Sequence, residues 1–203
     1  MFNYPDEPPV PKHGPSGYTD YSSYKPWLRD EFTFRCVYCL EREMWYPDRS
    51  NSFQVEHIVA KTFQPDEGTN YANLAYACGR CNSWKGTVPL LNPRKVALAD
   101  HLRVGSDGQI EGATVEGWIL VEQLHLRESP ARDNRRCRIE LQRLLQENPN
   151  HPVVQWLFLN EFGFPDGLPD LTERRPPSGN SRSGSELASY HAIKLRGELP
   201  DIY

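Results

Sequence analysis

CGRCNSWKG, residues 78–86, sets two cysteines on either side of a dipeptide, an asparagine directly after the second, and a lysine shortly beyond. One C-x2-C pair is half of a metal clip and means little without the other half. CVYC, residues 36–39, supplies it. Cys36, Cys39, Cys78 and Cys81 together make the closed tetrahedral donor set of a structural zinc (Zn2+) site. No position is left open for water, so this zinc reads as a staple between two segments distant in sequence. It supplies folding free energy where a polar segment has little apolar surface to bury. Two local disulfides and a redox C-x2-C compete with it. Four thiols in a chain without an export signal weigh against disulfides, and a redox pair has no use for a matched second pair.

The residues between the two pairs hold a second chemical set. SFQVEHIVAKTF, residues 52–63, alternates and is β-branched, as a strand does. Glu56 and His57 adjoin within it, Asn73 follows in NYANL, and Asn82 closes the second cysteine pair. Glu56 and Asn82 offer oxygen ligands for a hard divalent cation, Mg2+ or Mn2+. His57 can take a proton from water as a general base. Phosphodiester hydrolysis needs these parts: a nucleophilic water, a cation on the phosphate, and neutralisation of developing charge. Plain strand alternation puts Glu56 and His57 on opposite faces. A joint site therefore requires a twisted, open-edged ribbon, or a strand that ends near His57. Taken singly, each residue has a plainer reading: a core histidine for His57, a helix cap for Asn82, a solvated surface lysine for Lys85.

CVYC, VEHIVAK, NYANL and CGRCNSWKG, in that order, resemble the HNH endonuclease family in its four-cysteine zinc form. The resemblance covers residues 24–96. It implies an α+β chain with a ββα-metal core, a two-stranded ribbon packed on a helix around one catalytic divalent ion. It also implies cleavage of DNA, sometimes RNA, leaving a 5′-phosphate and a 3′-hydroxyl. On that resemblance Glu56 is the first metal ligand, where the family usually has Asp or His. His57 is the base, and Asn73 holds the ribbon loop and the His57 ring. Asn82 is the second metal ligand, and Lys85 contacts the phosphate or supports the fold. The chain departs from the pattern in its longer Glu56 arm and in a loop whose only glycine is Gly68. By analogy, small proteins of this shape resemble nuclease subunits of bacterial anti-phage systems, which implies an ATPase or other protein partner.

The whole chain bounds these readings. It has 203 residues, a net charge of -4 and a mean hydropathy of -0.68. Wholesale electrostatic capture of nucleic acid is not expected from such a charge. No long apolar run suits a membrane span. The start MFNYPDEPPVPKHG has no basic head or apolar run, so a cytoplasmic location is expected. The organisation reads as a flexible arm (1–23), the nuclease core (24–96), a hairpin and helical extension (97–163), and a Pro/Gly/Arg-rich segment with a short terminal helix (164–203). Expected elements include a helical turn over 24–32, and a hairpin of 101–104 with 110–115. Helices are expected over 116–126, 131–147, 153–163 and 185–198. Cys137, Leu141, Leu144 and Leu145 mark the expected inner face of the second of these. Arg127, Arg132, Arg135, Arg136, Arg138 and Arg143 cluster nearby and suit a charged helix face, a phosphate-contacting surface or a protein interface. The function expected is a metal-dependent DNA endonuclease, acting as effector subunit of a larger defence complex. The alternatives are a stand-alone restriction-type or phage-derived nuclease, and an inactive zinc-stabilised binding module.

Overall fold

Strand β1, Phe53–His57, pairs antiparallel with β2, Leu74–Cys78, in the register Phe53↔Cys78 to His57↔Leu74. These coordinates are a computed structural model that describes residues 2–129 and 131–203. β2 is buried along its whole length, and the Phe53 and Tyr76 rings stack at 5.0 Å. The strand expected over 52–63 stops at His57. Asn73 is the physical reason. Its carbonyl accepts from Ile58 N–H at 2.9 Å, and its side-chain amide then grips Val59 at both backbone groups. Val59 thereby finds partners outside a ladder, and the chain turns out into the loop.

Helix α2, Gly79–Lys85, follows β2 with no intervening loop. Cys78 is still extended at the N-cap position, and its Sγ accepts from Cys81 N–H at 3.5 Å. Gly86 ends the helix at φ 53°, a left-handed turn that glycine enters without a Cβ clash. Helix α1, Lys25–Glu31, begins with Pro26 in its first turn, where a missing N–H goes unnoticed. It buries Trp27 and Leu28. Buried Glu43 ties this layer together: Arg29 of α1 grips both of its oxygens, at 2.6 and 3.1 Å, and Tyr76 of β2 donates to it at 2.6 Å.

The chain divides into two compact units. The zinc-site unit comprises Val10–Pro89 and Pro165–Pro200, so the C-terminal segment returns to it. Gly14–Ser16 runs antiparallel beside 178–181 through a bridge of Pro15 with Asn180 and hydrogen bonds at 2.8–3.1 Å. His13 is buried, and its ring bonds Asp30 at 2.8 Å and Ser185 at 3.1 Å. The last helix, Tyr190–Leu195, starts on the same carboxylate: Tyr190 N–H donates to Asp30 at 2.7 Å.

The second unit comprises Met1–Pro9, Leu90–Phe164 and Asp201–Tyr203. In it β3, Leu102–Val104, and β4, Ile110–Gly112, form the expected hairpin. Helix α3, Val115–Gln123, packs on β4. Helices α4, Ala131–Glu147, and α5, Pro152–Phe162, form a second hairpin, of helices. The expected inner face of α4 is corrected: Cys137 and Leu144 are exposed, and the buried residues are Ala131 and Arg135. Arg135 is fully buried, donating to Gly108 O at 2.7 Å and Leu126 O at 2.5 Å. A guanidinium thus does the anchoring that apolar spacing assigned to leucines.

Candidate active site and its zinc clip

The first knuckle is a tight turn in which Leu40 N–H donates to Cys36 O at 3.0 Å and Cys36 N–H to Glu41 O at 2.8 Å. Val37 N–H donates to Tyr76 O at 3.0 Å, which lays this knuckle against the middle of β2. The four cysteine sulfurs are buried and lie within 4.8 Å of one another. Zn–S bonds of about 2.3 Å in a tetrahedron put sulfurs about 3.8 Å apart. Cys39 and Cys78 Sγ stand at 3.7 Å. Burial pushes the Cys39 thiol up, and the neighbouring thiols push Cys81 up, while hydrogen bonds from its neighbours push Cys78 down. A divalent cation is what lets all four ionise. The four cysteines are positioned to bind a zinc ion.

The second centre is built from the alternation of β1 against one turn of α2. Gln54 and Glu56 share a strand face, while Asn82 and Lys85 share a helix face. The pairs meet rung by rung. Asn82 Nδ2 donates to Gln54 Oε1, and Lys85 Nζ lies 2.8 Å from Glu56 Oε1. Both members of the lower rung are almost fully buried, with side-chain exposures of 1% for Lys85 and 3% for Glu56. Burial raises the Glu56 carboxyl to about 7, against the pull of Lys85 in the other direction. Lys85 Nζ also donates to His57 O at 2.8 Å, so one ammonium fixes the end of β1 twice. Lys85 is therefore neither a solvated surface lysine nor a group presented to solvent.

His57 takes the opposite face and is half-buried. Its Nε2 donates to Gly68 O at 2.9 Å, because a carbonyl can only accept. That fixes the tautomer and leaves Nδ1 as the lone-pair nitrogen, with no hydrogen bond to it among the described residues. Burial lowers the imidazole pKa, Gly68 opposes this, and Lys61 and Lys85 add to the lowering. Asn73 does not touch the ring. Its amide Nδ2 donates to Val59 O at 2.9 Å and Glu67 O at 3.3 Å, and its Oδ1 accepts from Val59 N–H at 2.8 Å. It pins the two ends of the loop that carries Gly68.

A cavity of about 490 Å³ runs along β1, lined by His57, Asn82 and Gln54 with Tyr21, Lys25 and Lys61. Glu56 is not part of its wall. The structure thus brings His57 and Asn82 to one opening and sets Glu56 and Lys85 beneath. As donors for a hard cation, Glu56 and Asn82 are a partial set of suitable type: one carboxylate, whose present partner is Lys85, and one amide oxygen. Magnesium is commonly held by one or two carboxylates, with water and substrate phosphate filling the remainder. The cysteine set is the only group of three or more close His, Cys, Asp or Glu ligands among the described residues.

Residues 36–87 match the HNH endonuclease family model. This segment is an HNH domain. No curated protein matches the chain. The HNH domain has the ribbon-and-helix build of a ββα-metal fold, with β1, β2 and α2 around the four cysteines. The family is one of nucleases, and DNA is the substrate it implies. Tyr21 and Lys25 lie outside the matched residues, and no motif in the sequence marked them. Lys61 stood inside VEHIVAK, but strand alternation gave it no role. No helix among the described residues is long and apolar enough to cross a membrane.

Proposed function

We propose that this protein is a metal-dependent endonuclease that hydrolyses DNA phosphodiester bonds, with His57 as general base. The observation that carries this reading is the His57 ring. Its Nε2–H is committed to Gly68 O, and the ring lines an open cavity. A neutral imidazole with a lowered pKa and an unprotonated Nδ1 is the correct state to take a proton from water at neutral pH. Water that loses this proton attacks phosphorus, and the 3′ oxygen leaves with a proton from solvent. Asn73 acts one step back, by holding the loop whose Gly68 carbonyl sets the tautomer. Asn82 on the cavity wall, with Glu56 once it is released from its buried pair with Lys85, would hold a divalent cation, Mg2+ or Mn2+, which when bound supplies positive charge at the phosphate and leaving oxygen. Lys85 pulls the Glu56 carboxyl down against its burial and holds it in place at the buried rung.

The acidic net charge of -4 supports targeting by a partner in the cytoplasm, such as an ATPase of an anti-phage complex, over unaided capture of DNA. Plasmid, linear and single-stranded DNA incubated with wild type and His57→Ala, with and without Mg2+ or Mn2+, tests the chemistry. Wild type is expected to cut only with the cation, and His57→Ala to lose about 100-fold or more in rate. Glu56→Ala and Asn82→Ala are expected to lose cation-dependent turnover while retaining zinc. Equal cutting by His57→Ala would remove the base assignment. Binding without cleavage by wild type, with any co-purified partner present, would point to the inactive binding module. Site-specific cutting by the isolated chain would instead favour the restriction-type reading.

A further inference from the structure

The HNH match begins at Cys36, yet one wall of the cavity comes from earlier in the chain. Tyr21 sits in a short 3-10 turn, Tyr21–Tyr24, capped by Asp20, whose carboxylate accepts from Ser22 N–H and Ser22 Oγ at 2.9 and 2.6 Å. The Tyr21 ring meets the His57 ring edge-on at 4.7 Å, with a 72° angle between the planes. Lys61 Nζ lies 4.1 Å from the centre of that same tyrosine ring. Tyr21 is therefore held between the His57 imidazole and an ammonium, a pairing that suits the negative face of an aromatic ring. Lys25, at the start of α1, lines the same cavity. Burial lowers its pKa, Arg29 adds to this and Glu43 opposes it; the net lowering marks an ammonium short of solvation that gains from a further counter-ion.

The charges around this opening are one-sided. Lys25 and Lys61 line it, and no carboxylate does. Asp20 feels the Lys61 charge, but its oxygens are engaged by Ser22. A local cationic wall in a chain of net charge -4 calls for an anion that arrives with the substrate. We propose that Lys25 and Lys61 bind backbone phosphates of the nucleic-acid strand on either side of the cleaved bond, and that Tyr21 is a positioning residue for His57. The inference rests on the nuclease reading for the identity of the strand. Tyr21 holds the ring against rotation about the Gly68 hydrogen bond, and Lys61 holds Tyr21 until phosphate draws the ammonium away.

The test separates binding from cleavage. The full chain, without added divalent cation, is titrated with a fluorescein-labelled oligonucleotide, single-stranded and duplex, at several salt concentrations. Each lysine that contacts a duplex phosphate contributes about 0.9 to the slope of log K against log salt, and about 0.7 on a single strand. Lys25→Ala and Lys61→Ala are each expected to reduce the slope by about that amount, with zinc content unchanged. No salt-dependent binding by wild type, or an unchanged slope in both variants, overturns the phosphate assignment. Binding that behaves as expected in a protein that never cuts would sink the nuclease reading and leave this wall standing. For Tyr21, the proton resonances of the His57 ring are followed by NMR, and kcat and KM are measured where cleavage occurs. Tyr21→Ala is expected to shift the His57 signals and to lower kcat about tenfold with KM within twofold, while Tyr21→Phe retains both. Wild-type His57 signals in Tyr21→Ala, or equal damage from the phenylalanine variant, overturns the positioning role.

Discussion

Lys85 and Glu56 show how far one buried ion pair can steer a small site. Neither side chain reaches solvent, and Lys85 also holds the His57 carbonyl. The Glu56 carboxyl is raised to about 7. A carboxyl raised on folding binds more protons in the folded than in the unfolded state between pH 4.5 and 7. Its contribution to stability is therefore full below that window and declines as pH rises through it. Lys85→Met removes the cation that opposes this decline. Its stability deficit is expected to be small at pH 5, where Glu56 is protonated, and about 3 kcal/mol at pH 8, where a buried carboxylate is left alone. Urea unfolding of wild type and Lys85→Met at the two pH values measures it, and a deficit that does not change with pH contradicts the pairing. The sequence offered Lys85 as a phosphate contact or a fold support. Only the rung geometry of β1 on α2 shows a buried pair, because an i to i+3 step in a helix and an i to i+2 step in a strand must meet across space before either side chain has a partner.

At the scale of elements, the zinc clip carries what the short ribbon cannot. β1 and β2 are five residues each, and an isolated two-stranded hairpin is marginal in water. A zinc ion on the four cysteines would join the first knuckle to the junction of β2 and α2, so that the strand end, the helix start and the knuckle form together. Cys78→Ser is expected to lower zinc content below one equivalent and to abolish the cooperative unfolding of this unit, since structural zinc contributes about 10 kcal/mol or more in small zinc domains. Chelation at pH 7 should do the same to wild type, followed by near-UV circular dichroism; an unchanged spectrum after complete zinc loss would refute the structural role. In the other unit, α4 settles its own arginines. Arg138 pairs with Glu161 at 3.1 Å, Arg143 with Glu140 and Glu147 at 2.9 and 2.8 Å, and Arg132 with Asp133 at 3.4 Å. Arg135 is buried. A cluster that read from spacing as a charged helix face, a phosphate-contacting surface or a protein interface is largely engaged by the helix pair itself, and this favours the charged-face reading. Periodicity found the extent of α4 but not its inner side, because a hydrogen-bonded guanidinium can be buried where a hydrophobicity pattern expects leucine.

Across the whole molecule, segments far apart in sequence meet on Asp30. Lys12 Nζ and His13 Nε2 lie 2.7 and 2.8 Å from Oδ1, and Tyr190 N–H donates to Oδ2. Burial alone would raise this carboxyl, but His13 and Lys12 hold it below its ordinary value. A carboxyl depressed on folding gives stability that is present above its unfolded pKa near 3.8 and is lost as pH falls through the folded one. Asp30→Ala is expected to destabilise the zinc-site unit by about 3–5 kcal/mol at pH 7. It should also open residues 178–185 to limited proteolysis, with the loss of stability fading below pH 4. A protease pattern identical to wild type would show that Asp30 does not hold the C-terminal segment. Composition alone described a flexible arm and a Pro/Gly/Arg-rich segment with a short terminal helix; it gave no sign that Gly14–Ser16 lies along 178–181.

The sequence by itself determined the local chemistry: four cysteines in two knuckles, a strand with Glu56 and His57 in it, Asn73 in the returning loop, and Asn82 directly after the last cysteine. Those features are set by spacing over a few residues, and spacing survives folding. Tertiary structure alone decided which of these residues share a wall. It turned Glu56 inward to Lys85 and His57 outward to the cavity, because neighbours on a strand must face opposite ways. It also brought Tyr21 against His57 and Lys25 into the same cavity wall, a juxtaposition of residues more than thirty positions apart that no periodicity can announce, since it depends on where α1 and the turn before it land against β1.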